Sequence, residues 1–154
     1  MKNIKEIKKI FDRKISDVEI GLNSIHLFSK DEIDDAQVGY RVNFEKVPIK
    51  EWIGDSYYVI GEDSLCGDPI IVDIANKNLP IYHMFHDKWD SLTLISESFD
   101  EYINILDKIN DTDLKDKNAC DNLLMELNGI TSTKIYGYFE DLIHGAYEFY
   151  NDIS

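Results

Sequence analysis

His83 and His86, followed by Asp87, are the one grouping in this 154-residue chain whose residue types invite a metal ion. Imidazole nitrogens and carboxylate oxygens are zinc-type ligands, but their spacing here argues against a shared ion. If residues 81–86 run as a strand, side chains three positions apart leave on opposite faces. Only a turn after Phe85 would bring both rings to one ion, so the sequence predicts no metal and no cofactor. Paired carboxylates are plentiful at Asp34-Asp35, Glu62-Asp63 and Glu140-Asp141. Adjacency does not aim two side chains at one bond, and acid–base work needs a pKa moved by burial or a close charge. The acidic run from Asp31 to Asp35 lacks the central glycine and the closing acid of a calcium loop. Neither Cys66 nor Cys120 lies near a histidine in sequence, Ser64 and Ser98 sit in turn and cap contexts, and no Gly-rich phosphate cradle exists. No catalytic residue is predicted. A site assembled only by the fold stays open, with His83 and His86 as its first suspects.

The elements that would position these groups are clearest between Tyr57 and Tyr102. Tyr57-Tyr58-Val59-Ile60 is a β-prone run that ends at Gly61, and Gly67-Asp68-Pro69 introduces a second, Ile70-Ile71-Val72-Asp73. Gly67 suits a left-handed turn, Asp68 suits a hydrogen bond to its own backbone, and Pro69 suits the start of a strand. Residues 80–86 give a third run, and Leu92-Thr93-Leu94-Ile95 is a short strand or an extended lead into a helix. Ser98, three residues before Glu101, is a capping box that opens a helix over about residues 98–109. Phe99, Tyr102, Ile103, Leu106 and Ile109 form its apolar stripe.

On the N-terminal side, Ile4, Ile7, Ile10 and Phe11 predict an amphipathic helix over residues 3–13, with Lys2, Lys5, Lys8, Lys9 and Arg13 around its other faces. Residues 17–28 read as a strand region, and Ser29 with Glu32 makes a second candidate capping box. Val38 to Val42 alternates as a strand, and Gly54-Asp55 is a turn. On the C-terminal side, residues 118–128 read as a helix stopped by Asn128-Gly129. A last helix spans about residues 132–151. The order of helix, strands and helices predicts an α+β fold with a mixed, largely antiparallel sheet flanked by N-terminal and C-terminal helices. One domain over residues 1–154 is expected, with residues 110–154 a helical extension packed on it.

Composition and charge narrow the function classes. With 44% hydrophobic and 12% aromatic residues the chain is of globular type. Two cysteines without metal spacing are expected to be reduced, mostly buried thiols of a cytoplasmic protein. No segment approaches 18 apolar residues, so no membrane span is predicted. The net charge is −14 and lopsided: residues 1–50 hold 10 Lys/Arg against 9 Asp/Glu, and residues 51–154 hold 6 against 21. Such a body repels nucleic-acid phosphates and favours a basic partner. Trp52 and Trp89 are expected as core or rim residues, and an exposed aromatic could hold a protein interface.

Taken in order, Ile60-Gly61-Glu62-Asp63, Gly67-Asp68-Pro69-Ile70-Ile71-Val72-Asp73, Pro80-Ile81-Tyr82, His86-Asp87, Trp89 and Ile95-Ser96-Glu97-Ser98-Phe99-Asp100-Glu101-Tyr102 resemble the SUKH superfamily. That group contains the Smi/Knr-type cell-wall regulators and many small bacterial immunity proteins. The similarity covers about residues 52–109. The Leu-Pro step and Asn-Gly-Gly-like turn common in the N-terminal half of members are missing, and the segment after Asn110 is longer than a minimal domain requires. What the resemblance implies is an antitoxin that binds and neutralises a toxin domain, often a nuclease, as a monomer or weak homodimer. The residues expected to meet the partner are Glu62, Asp63, Asp68, Asp87 and Asp90, with Trp89 as an aromatic anchor. Two other readings stand beside it: a regulatory or scaffolding module, and a small ligand-binding or enzymatic domain.

Overall fold

A computed structural model describes residues 3–131 and 133–152. Six strands form one antiparallel sheet in simple sequence order: β1 (Asp17–Ile20), β2 (Asn23–Leu27), β3 (Tyr57–Asp63), β4 (Pro69–Asp73), β5 (Ile81–Phe85) and β6 (Lys88–Ser96). The helices are α1 (Lys8–Phe11), α2 (Ile33–Ala36), α3 (Phe99–Asn110), α4 (Lys117–Ile130) and α5 (Thr133–Asp152). The α+β class holds, and every strand pairing is antiparallel rather than mixed. No described helix is long and apolar enough to cross a membrane.

One face of the sheet carries most of the apolar mass. Val18, Ile20, Ile25, Leu27, Ile60, Ile70, Val72, Ile81 and Ile95 meet Phe99, Tyr102, Ile105 and Leu106 of α3 and Ile135, Phe139, Ile143 and Ala146 of α5. α3 and α5 contact the sheet, and α4 packs on both. Fully burying one such side chain stabilises by about 1.5–3 kcal/mol, so this face supplies most of the driving force. The opposite face buries only Val59, Ile71 and Met84, against half-buried Tyr40, Trp52, Ile53, Tyr57, Tyr82, Trp89 and Leu92.

Ile4, Ile7 and Ile10 are buried as their spacing predicts. The helix is nonetheless broken at Ile7 into a 3-10 turn, Ile4–Glu6, and the single turn of α1. Arg13 does not point outward: its guanidinium donates to the carbonyls of Ile10, Leu27 and Phe28, tying the N-terminal turns to the end of β2. Residues 17–28 fold as the β1–β2 hairpin. The alternation from Val38 to Val42 makes no named strand, only isolated bridges within a turn-rich segment. Before it lies buried Gln37, whose side-chain amide donates to the Val59 carbonyl at 2.7 Å and accepts from the Val59 N–H at 3.0 Å. β2 pairs with β3 only from Gly61 to Asp63, so Gln37 completes the hydrogen bonding where the neighbouring strand has ended.

Gly61 does not stop β3. The register against β4 slips between Val59 and Gly61, a β-bulge. A Cβ on Gly61 would lie 2.6 Å from the His26 carbonyl oxygen, so the close approach of β2 demands glycine there. In the other direction, Gly129 does not end α4, which runs on to Ile130 before Thr131 caps it. The Ser98 cap forms: its hydroxyl accepts from the Glu101 N–H at 3.0 Å. The Glu101 carboxylate reaches past Ser98 to accept from the Glu97 N–H and the Ser96 hydroxyl.

Candidate functional site

The bulge in β3 decides which acid faces inward. Strict alternation from Tyr57 and Val59 would place Glu62 on the helix-covered face and Asp63 on the other. The extra residue reverses the phase, as bulges do when they re-aim a side chain. Glu62 is therefore exposed and Asp63 is 6% exposed. Asp68 closes the five-residue β3–β4 loop, its carbonyl accepting from the Asp63 N–H at 3.0 Å, and is 5% exposed. Gly67, at φ 72°, supplies the left-handed step that returns the chain to Pro69.

His83 completes the group from β5. It pairs in register with Ile70, so its ring lies on the same face as Asp63 and Asp68. Its Nε2 stands 3.6 Å from Asp63 Oδ2 and 3.5 Å from Asp68 Oδ2. The second oxygen of each carboxylate is tied elsewhere. Asp63 Oδ1 accepts from the Cys66 N–H at 3.1 Å. Asp68 Oδ1 accepts from the His86 N–H at 3.0 Å and lies 2.9 Å from His86 Nδ1. The turn after Phe85 thus exists, at His86 and Asp87, and both histidines reach the same aspartate. The backbone hydrogen bond expected of Asp68 to its own loop is made instead by Asp63.

The aromatic surroundings are equally specific. Phe85 meets the His83 ring edge-on, and Tyr138 of α5 lies tilted against it, each at a centroid distance of 5.4 Å. Tyr102 of α3 is fully buried, and its hydroxyl makes no hydrogen bond. Burial raises the pKa of both phenols, and the charge of Asp63 raises them further. Burial also pushes the Asp63 carboxyl up, but His83 and the N–H groups of Cys66 and Asp68 outweigh it, leaving its pKa lowered. His86, at the rim, is raised by its bond to Asp68 and by the charge of Asp87.

The six residues expected to meet a partner therefore divide. Asp63 and Asp68 turn inward and hold the histidines. Glu62, Asp87 and Asp90 are exposed at the same hairpin end of the sheet, and Trp89 is half-buried. Trp89 packs on Tyr40 and Trp52 of the other face, with its indole N–H on the His86 carbonyl at 2.9 Å. Sequence reasoning missed Tyr138 as the neighbour of His83, because its periodicity marked it only as core. Of the two cysteines, Cys120 is buried and Cys66 is exposed in the β3–β4 loop, against the expectation that both would be mostly buried. Surface hollows of about 390 and 310 Å³ lie beside α3 and α4 and beside α1, and neither is lined by Asp63, Asp68 or His83.

No protein-family model, curated protein or solved structure matches the chain.

Proposed function

We propose that this protein is a non-enzymatic immunity protein, which binds a toxin domain with a basic surface, such as a nuclease, and neutralises it. The observation that carries the reading is the exposed acidic rim of Glu62, Asp87 and Asp90 beside the half-buried Trp89, at the end of a chain of net charge −14. Nuclease domains present cationic surfaces to phosphate, and complementary charge raises association rates to about 10⁸–10⁹ M⁻¹s⁻¹ at low salt. A large aromatic ringed by polar groups is the usual composition of an interface hot spot. The similarity of residues 52–109 to the SUKH superfamily supports the same role.

In this reading Glu62, Asp87 and Asp90 steer the encounter, and Trp89 fills a recess on the toxin. Asp63 and Asp68 contribute by shaping the hairpin end rather than by touching the partner. The test is co-expression with toxins encoded beside the gene. Rescue of growth by this chain, lost when Glu62, Asp87 and Asp90 are together changed to Lys, is expected. Failure to rescue growth from any adjacent candidate would sink the reading.

A further inference from the structure

We propose that Asp63, Asp68 and His83 form a binding site for one divalent transition-metal ion, zinc foremost. The inference is independent of the partner proposed above. Three ligand atoms, Asp63 Oδ2, Asp68 Oδ2 and His83 Nε2, converge from the end of β3, the β3–β4 loop and β5, and lie within 4.8 Å of one another.

The separations favour an ion over direct bonding. A charge-assisted hydrogen bond between imidazolium and carboxylate closes to about 2.7–2.9 Å. The two His83 contacts, at 3.6 and 3.5 Å, are too long for that. Around tetrahedral zinc with bonds of about 2.0–2.2 Å, neighbouring ligand atoms stand about 3.4 Å apart. The same cluster does close to hydrogen-bond distance elsewhere, at 2.9 Å between His86 and Asp68, so the longer separations are particular to the three converging atoms.

Each carboxylate is also oriented as a ligand would be. One oxygen is fixed by outer hydrogen bonds, from the Cys66 N–H for Asp63 and from His86 for Asp68, and the other is turned toward His83. Such supporting bonds orient the ligands of protein metal centres. Two buried carboxylates also need compensating charge; His86 reaches only Asp68, from the rim, and a dication among the three converging atoms would serve both.

The fully buried Tyr102 hydroxyl is a further polar group left unmet on this side of the sheet. It has no hydrogen-bond partner among the described residues, and α3 holds it on the same face of the sheet as His83. A buried hydroxyl left unpaired is costly. Two carboxylates and one imidazole form a mixed oxygen and nitrogen set, suited to zinc, manganese, iron(II) or cobalt(II) rather than to soft copper(I).

The test uses the full chain, stripped with a chelator and titrated with cobalt(II) and then zinc(II). One equivalent of cobalt is expected to bind with the strong visible bands of a low-symmetry site, and zinc is expected to displace it. Zinc should raise the melting temperature, and EDTA should reverse the rise. His83→Gln and Asp63→Asn should each weaken binding at least about 100-fold, beyond the 10- to 100-fold of an outer-shell change. His144→Gln, at an exposed position on α5, should leave it unaltered. A cobalt spectrum that stays that of the hydrated ion, with no melting shift, overturns the proposal. So does binding that survives His83→Gln, which would place the ion among surface carboxylates. If Asp63→Asn does not fold, the wild-type cobalt spectrum still decides, since it requires no variant.

Discussion

The two faces of the sheet are made by alternate residues of the same strands, yet they are used in opposite ways. The helix-covered face packs aliphatic side chains against α3 and α5 and leaves few of them accessible. The other face buries three residues and leaves its aromatic rings half-covered beneath the segment around Tyr40 and Trp52. The acids follow the same division: Asp63 and Asp68 turn inward on the helix side, and Glu62, two strand positions from the bulge, turns out. A shift of one residue in register thus separates a structural carboxylate from one that is free to meet solvent or a partner.

The largest expected effect tests whether the helix-covered face truly dominates stability. Phe139→Ala, at a fully buried position of α5, should cost about 3–5 kcal/mol in urea unfolding. Trp52→Ala on the opposite face should cost less than half as much, despite removing more atoms, because its ring is only half-buried. Equal costs would break the contrast.

The second effect concerns the buried polar link between Gln37 and Val59. Gln37→Leu leaves the Val59 N–H and carbonyl without partners. At about 1–3 kcal/mol for an unsatisfied buried group, a loss of about 2–4 kcal/mol is expected. A loss below about 0.5 kcal/mol would mean that solvent reaches Val59 and that its face of the sheet is more open than its packing implies.

A smaller effect is expected at His26, which lies between Asp17 at 2.7 Å and Glu32 at 3.1 Å. Burial lowers its pKa, but the two carboxylates outweigh burial and raise it. A raised folded pKa means that the stabilisation is present below the unfolded value of about 6.5 and is lost as pH rises through the folded one. The partly exposed contact should be worth less than about 1 kcal/mol. His26→Gln should therefore lower the melting temperature at about pH 5.5 and scarcely at about pH 9. The reverse pattern would show that the ring stabilises the fold as a neutral group.

The smallest stability change should come from the exposed rim. Replacing Glu62, Asp87 and Asp90 together by Gln and Asn should alter unfolding by no more than about 0.5 kcal/mol per site. Stopped-flow association with a cognate toxin should slow at low salt and lose much of its salt dependence. A large stability loss would show that these acids serve the fold.

Much of the fold was readable locally, because its signals are local. The Gly-Asp-Pro step before β4 and the serine cap before α3 depend on residues only a few positions apart. The failures came wherever a distant neighbour decided. Gly61 carries the sequence signature of a strand end, but its role is set by the His26 carbonyl of another strand. Asn128-Gly129 has the chemistry of a helix stop, yet α4 continues through it. The alternation of Val38 to Val42 joins no strand, because Gln37 meets the open flank of β3 and the segment turns back on itself. At the candidate site, Asp63 and Asp68 were singled out, but as surface contacts. Their inward turn depends on a bulge that no period of two can reveal. The convergence of His83 and His86 required the hairpin turn that strand geometry alone argues against.

The amide of Gln37 has a consequence for engineering. Because one side chain, rather than a further strand, closes the open flank of β3, the covering chain that follows carries no pairing with β3 to preserve, only its own turn bonds from Asn43 to Val47 and from Arg41 to Ile49. The exposed tip of that turn, residues 44–46, is therefore the place to insert a tag, a fluorophore site or a binding peptide, so long as the glutamine stays and the aromatic lid can still settle.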